Sequence, residues 1–330
     1  MKDYFFADLP SLFITEREGH KFHVEEAMII GLTYQALGEK YSSLKTTFGG
    51  DWCAYTYPIN WFIEHIFNKY YNRITGTSME FWVEKIPDFR ESIWKSIVFN
   101  QESGEQDIQM ELDSFREFGW MDCVKNRTCT PGSGPINNDG DRREDAFFLQ
   151  RAFYTQYGKA HGLKTQALLL PNGMMGHAYV GSVSHNDKGT INMSGIEEHL
   201  KAILDPHRVG ALNLLPALFA DGIYIPSEVV LTCGENHGLY YDRLNARREK
   251  IEHYFGLFVG QWKIMEKRST LKLLASSRNL SKRGLVYWFL TNVYTGFRGN
   301  SVSSLFKMDK PNIEEYLGGD IVPYAGGLPE

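Results

Sequence analysis

Apolar residues recur at helical spacing near the start of the chain. Val24, Ala27, Met28, Leu32 and Ala36 form one stripe, with Gly31 on the same face, and predict a helix over residues 22–40. Ile29 and Ile30 fall off that stripe, so the pattern predicts burial on more than one side. A short helix is expected over 42–48, a turn at Gly49-Gly50-Asp51, and a third helix over 59–71, where Trp61, Phe62, Ile66, Phe67 and Tyr70 are apolar. Helix, short helix, glycine turn and helix is the outline of a helix-turn-helix unit.

Beyond residue 100 the period changes. A polar, acidic stretch over 100–115 marks a boundary. Strands are predicted over 117–124, 165–170 and 178–183, the last two joined by a turn that starts at Pro171-Asn172-Gly173. A helix is predicted over 196–204 and a buried strand over 212–220, with Pro216 at its start or on an edge. A long helix follows over 241–274, with Leu244, Ile251, Phe255, Phe258, Trp262 and Met265 at helical spacing, and a last helix over 284–295. An antiparallel meander leading into a parallel strand, with helices, is an α/β arrangement. The expected organisation is a helical, helix-turn-helix-like domain over 1–105, an α/β domain over 106–310, and a loosely held tail over 311–330. A Gly/Pro/Asn/Asp-rich segment, 126–145, reads as a flexible insert. Asn137-Asn138-Asp139-Gly140-Asp141 within it fails the register of a calcium loop, because the first ligand would fall on Pro135.

Composition narrows this picture. With 43% hydrophobic and 14% aromatic residues the chain is globular. No apolar run reaches membrane-spanning length, and Met1-Lys2-Asp3-Tyr4 does not open a signal peptide. Cys53, Cys123, Cys129 and Cys233 include no Cys-x-x-Cys pair, which argues against a zinc ribbon and for reduced thiols inside a cell. The net charge of −5 argues against a protein that coats nucleic acid. The charge is uneven, however. Residues 243–290 carry eleven Lys/Arg against three acids, a local +8 that leaves −13 for the remainder. Such a stretch is a solvated helix face or a surface for a phosphate backbone. Residues 1–100 hold ten Lys/Arg against thirteen acids, which disfavours strong DNA binding by that part alone.

Three acids interrupt or close apolar stretches: Asp122 and Asp221 at predicted strands, and Glu252 on the long helix. An acid in an apolar setting is costly unless it is paired or binds a cation. Singly, each has an ordinary explanation: a strand end for Asp122, an Asp-Gly turn for Asp221, and an ion pair with Arg248 one helical turn away for Glu252. Jointly they suit a clamp for hard divalent cations such as Mg²⁺ or Mn²⁺, the apparatus of phosphodiester cleavage.

These residues carry a family resemblance. Gly119-Trp120-Met121-Asp122-Cys123 resembles the Gly-x-x-Asp strand motif of Harbinger-type DDE transposases, and Ala220-Asp221-Gly222-Ile223-Tyr224 resembles their Gly-Asp-Ser-Gly-Tyr. Arg248 to Glu252, continuing to Phe255-Gly256 and Trp262, resembles Arg-x-x-x-Glu-x-x-Phe-Gly followed by Trp, and Leu290-Thr291-Asn292 resembles a late Leu-His-Asn. Val24-Glu25-Glu26, Ala36-Leu37-Gly38 and Phe48-Gly49 extend the resemblance to the N-terminal helices. The chain departs from the family at Val259 and Gln261, where Lys and Arg are usual, and at Thr291, which replaces a histidine. Asp187 lies two residues later than the pattern expects and is given no catalytic role. The resemblance implies an RNase H-like catalytic fold with a mixed sheet flanked by helices. It implies a metal-dependent DNA endonuclease or transposase in which Asp122, Asp221 and Glu252 hold two Mg²⁺ or Mn²⁺ ions. Arg247, Arg248 and Lys263 become candidates for the DNA backbone. A nuclear location, a separate Myb-like DNA-binding partner and oligomer formation are further implications. The competing expectations are a domesticated, non-catalytic DNA-associated or scaffold protein on the same fold, and an unrelated metal phosphohydrolase.

Overall fold

The architecture was taken from a computed structural model, which describes residues 5, 9, 13–15, 21–38, 40–100, 102–130, 150–232, 238–266 and 273–318. It is a mixed α/β structure in which helices flank a mixed sheet. Strands β1 (Phe13–Thr15) and β2 (Lys21–His23) pair antiparallel and lead into helix α1 (Val24–Leu37). The His23 side chain caps the first turn of α1 by accepting from Glu25 N–H, and Gly38 closes the helix with a left-handed φ of 59°. Helix α2 (Tyr41–Phe48) ends at Gly49 and Gly50, both at positive φ, and α3 (Thr56–Lys69) lies across α1. Gly31 permits that crossing, because a Cβ there would stand 2.5 Å from the Phe62 ring. Ile29, expected to be covered, is 53% exposed. The buried side of α1 follows Val24, Ala27, Ile30, Gly31 and Tyr34, so the stripe lies about one residue round from the sequence reading.

After the short α4 (Tyr71–Ile74), residues 86–98, to which the pattern above assigns no element, form α5 (Ile86–Val98). Pro87 sits in its first turn, and Ile86, Phe89, Ile93 and Ile97 are buried at helical spacing. This helix packs on β3 (Glu117–Arg127), and Arg90 donates to the carbonyls of Phe115 and Leu112. The core runs without a break across residue 105, from Val24 in α1 to Leu317 near the C-terminal end of the described chain.

The sheet runs β6 (Met175–Ser182), β5 (Ala160–Leu169), β3, β7 (Ala217–Ala220), β8 (Val230–Thr232), and the short β4 (Tyr154–Thr155) pairs with the start of β5. β6, β5 and β3 are an antiparallel meander, and β3, β7 and β8 are parallel. Gly119 lets β3 approach β5, since a Cβ would meet the Leu169 carbonyl oxygen at 2.8 Å. The strand expected over 212–220 shrinks to its last four residues. Residues 209–214 form a tight turn in which Val209 and Leu214 exchange backbone bonds and Asn213 takes φ 52°. Pro216 immediately precedes the shortened strand, where its missing N–H breaks no ladder bond.

Helices α6 (Asp187–Ser194) and α7 (Ile196–Leu204) follow the meander, and α6 packs on β5 and β6. The long helix expected over 241–274 ends early as α8 (Leu239–Gln261), and the last helix expected over 284–295 lies within the longer α9 (Leu273–Arg298). Trp262 leaves the helix because its indole N–H donates to buried Thr291 Oγ1 at 2.8 Å, while its ring stacks 5.5 Å from Tyr287. In α9, Asn292 binds both the N–H and the C=O of Met175 at 2.7 and 2.8 Å, pinning the helix to β6. Helices α10 (Ser301–Leu305) and α11 (Ile313–Gly318) complete the described chain. The insert beyond residue 130 and the tail beyond 318 lie outside the described residues. Among the described residues, no helix is long and apolar enough to cross a membrane, and Cys123 is in no disulfide.

Candidate active site

Asp122 lies midway along β3, opposite Ala167 of β5. On the other flank β3 pairs with β7 as far as Met121 and Ala220. There β7 ends and β3 continues, so Asp122 and Asp221 occupy the next register position on two adjacent parallel strands. The carboxyl end of such strands is where open α/β sheets place their sites. Asp221 is exposed, whereas the Asp122 side chain is only 16% exposed.

Helix α8 crosses this end of the sheet and brings the third acid. Arg248 Nη1 lies 3.7 Å from Asp122 Oδ2 and 3.8 Å from Glu252 Oε1, so one guanidinium joins two of the three acids. Glu252 itself is 60% exposed. Burial pushes the Asp122 carboxyl up to about 6 against the opposing pull of the Cys123 backbone N–H and Arg248, and the charges of Asp187 and Asp221 push it the same way as burial. Asp122, Asp221 and Glu252 are thus drawn to one end of the sheet from positions far apart in sequence. Among the described residues, however, no three His, Cys, Asp or Glu side chains stand close enough to share one ion.

Asp187, given no role by its spacing, belongs to this neighbourhood through its charge. It caps buried Lys164 in a 2.8 Å ion pair, and Lys164 also donates to the His185 carbonyl. Tyr224, three residues after Asp221, donates to Cys123 Sγ at 3.1 Å. Burial raises the Tyr224 hydroxyl and pushes the Cys123 thiol up to about 12, so both stay protonated near neutrality. This bond ties the turn carrying Asp221 to the strand carrying Asp122. A Lys and an Asp 23 residues apart gave no sequence signal for their pairing.

Among the described residues, most of the arginines and Lys282 of the basic stretch are engaged with the protein. Arg243 pairs with Asp107 at 2.6 Å and donates to the Ile97 carbonyl, and Arg247 donates to the Ser96 carbonyl. Lys282 pairs with Glu64 of α3, and Arg283 donates to Asn60. Of the candidate backbone contacts, Arg247 is turned against α5, Arg248 is turned into the acids, and Lys263 is exposed. Thr291 and Asn292 are buried structural groups binding Trp262 and Met175. No family model, no curated protein and no solved structure matches this chain.

Proposed function

We propose that this protein is a metal-dependent DNA endonuclease of the transposase type, with Asp122, Asp221 and Glu252 as its catalytic acids. The observation that carries the reading is the convergence of Asp122 and Asp221 on adjacent parallel strands, with Glu252 linked to them through Arg248. A three-stranded meander leading into parallel strands supports reading the sheet as RNase H-like.

The donor set fits a hard divalent cation. All three side chains offer carboxylate oxygens, and they come from a strand, a strand end and a packed helix, which restrict their movement. Asp122, Asp221 and Glu252 would hold Mg²⁺ or Mn²⁺, which when bound supplies an activated water or hydroxyl and stabilises the leaving oxygen. Arg248 holds Asp122 and Glu252 in reach of each other by offsetting their charge. For both acids to turn to a cation, Arg248 must release at least one of them. Released, its guanidinium is placed to meet a phosphate. Tyr224 fixes the Asp221 turn, and Lys263 offers an exposed positive charge. The acid excess of the N-terminal helices fits a protein whose target site is read by a separate, Myb-like DNA-binding partner.

Arg248's contact with two of the acids also suits a second reading, a non-catalytic DNA-associated protein that keeps the fold. Incubation of duplex DNA with Mg²⁺ or Mn²⁺ separates the two. The endonuclease reading expects cleavage by the wild type and its loss in Asp122→Asn, Asp221→Asn and Glu252→Gln, with circular dichroism unchanged. Equal cleavage by wild type and all three variants would reject these acids as the site.

A further inference from the structure

The sheet beyond Asp122 has a composition unlike the rest of the chain. Residues 123–130 and 150–186 contain no Asp or Glu, although the segment between them, outside the described residues, carries Asp139, Asp141, Glu144 and Asp145. On the outer part of that region Lys125, Arg127, Arg151 and Lys159 are exposed. Lys125 and Arg127 share one face of β3, the face opposite to that of Asp122, and Lys125 stands three residues further along the strand, about 10 Å.

Two tyrosines interleave with these cations. Strand β4 pairs with β5 through Tyr154 and His161, and the connecting turn closes from Lys159 N–H to the Gln156 carbonyl. Tyr157 lies in that turn and is 91% exposed. Its ring is not stacked in the core. Lys125 Nζ lies 4.5 Å from its centroid, a cation–π contact that leaves the rest of the ring in solvent. Tyr154, 37% exposed, packs beside His161 with ring centroids 5.1 Å apart.

We infer that this surface binds a single nucleic-acid strand, with Tyr157 as a base-stacking platform and Lys125 and Arg127 on the phosphates. This rests on reading the acids as a nucleic-acid-cutting site. Clustered exposed cations suit a polyanion, and an exposed aromatic face among them suits unstacked bases, which a duplex keeps covered. A purely electrostatic surface would have no use for the ring.

The test is fluorescence anisotropy with labelled oligothymidylate about twenty nucleotides long and a duplex of equal length, in EDTA across a salt series. The full-length wild type is expected to prefer the single strand. Tyr157→Ala is expected to weaken that binding about 10-fold with an unchanged salt slope, whereas Tyr157→Phe retains it. Lys125→Gln with Arg127→Gln is expected to flatten log K against log salt by about 1.4, roughly 0.7 for each lost contact. Wild-type affinity in Tyr157→Ala and in the double variant would overturn the surface. Duplex preference that ignores Tyr157 would overturn the single-strand assignment. Because chelator suppresses metal chemistry, a protein that binds in this way but never cuts would contradict the endonuclease reading and leave this surface standing.

Discussion

A buried carboxylate is a liability unless its charge is used, and Asp122 shows how large that liability is. Its carboxyl is held at about 6 by burial, above the ordinary value of 3.8. The folded state therefore binds a proton more tightly than the unfolded chain. Below about pH 4 both states are protonated, and the native state loses stability as pH rises through 6. About two pKa units correspond to roughly 2–3 kcal/mol. Urea denaturation at pH 7.5 (about 1.5 units above that value) should accordingly find Asp122→Asn more stable than wild type, by on the order of 2 kcal/mol, with the difference vanishing near pH 4. Equal or lower stability at neutral pH would show that Arg248 and the Cys123 N–H already compensate the charge. Arg248 yields the complementary expectation. Arg248→Gln frees Asp122 and Glu252, so calorimetry should show tighter Mn²⁺ binding than in the wild type. Weaker binding would make Arg248 an organiser of the site.

At this scale the sequence revealed the acids and hid their partners. Asp122, Asp221 and Glu252 were visible because each breaks an apolar stretch. The spacing of Arg248 and Glu252 also disclosed their ion pair. The contact of Arg248 with Asp122, the Lys164–Asp187 pair and the Tyr224–Cys123 bond depend on which strands become neighbours, and periodicity carries no such information.

Among elements, α/β patterning was legible wherever one face of an element is buried. β3, β5, β6 and α7 lie where their spacing places them, with β3, β5 and β6 extending beyond the predicted limits. Two helices were expected over this stretch, but the end of α8 at Gln261 was not legible, since Trp262 continues the apolar spacing. What ends the helix is a bond to Thr291, 29 residues away. Likewise the apolar run at 211–215 suggested strand, while Asn213 at positive φ makes it a turn. Asn292 is the residue on which the docking of α9 most depends. Asn292→Ala removes partners from a buried N–H and a buried C=O, and should cost at least about 2 kcal/mol in chemical denaturation. A loss below about 0.5 kcal/mol would mean that other groups satisfy Met175.

For the molecule as a whole, the uneven charge suggested a solvated helix face or a surface for a phosphate backbone, and among the described residues several of its cations prove to be in internal bonds. Lys282 and Arg283 hold α9 to α3, and Arg243 holds α8 to the segment after α5. The polar composition of 100–115 suggested a boundary, yet the apolar core crosses it. Composition reports where a chain is hydrophilic, and a hydrophilic segment can run over the outside of one core. Thermal unfolding should therefore be a single transition by both near- and far-ultraviolet circular dichroism. Two separated transitions, with α1–α5 melting apart from the sheet, would divide the molecule at residue 105.

The central claim is that three acids, spread over 130 positions, act as one cation site at the end of the sheet. Manganese electron paramagnetic resonance at pH 7.5 tests it most directly, because free Mn²⁺ is counted without any substrate. The wild type should remove Mn²⁺ from solution, and Asp122→Asn, Asp221→Asn and Glu252→Gln should each weaken binding at least about 10-fold, as expected for loss of a metal-binding group. Retention of wild-type Mn²⁺ binding by all three variants would contradict the account.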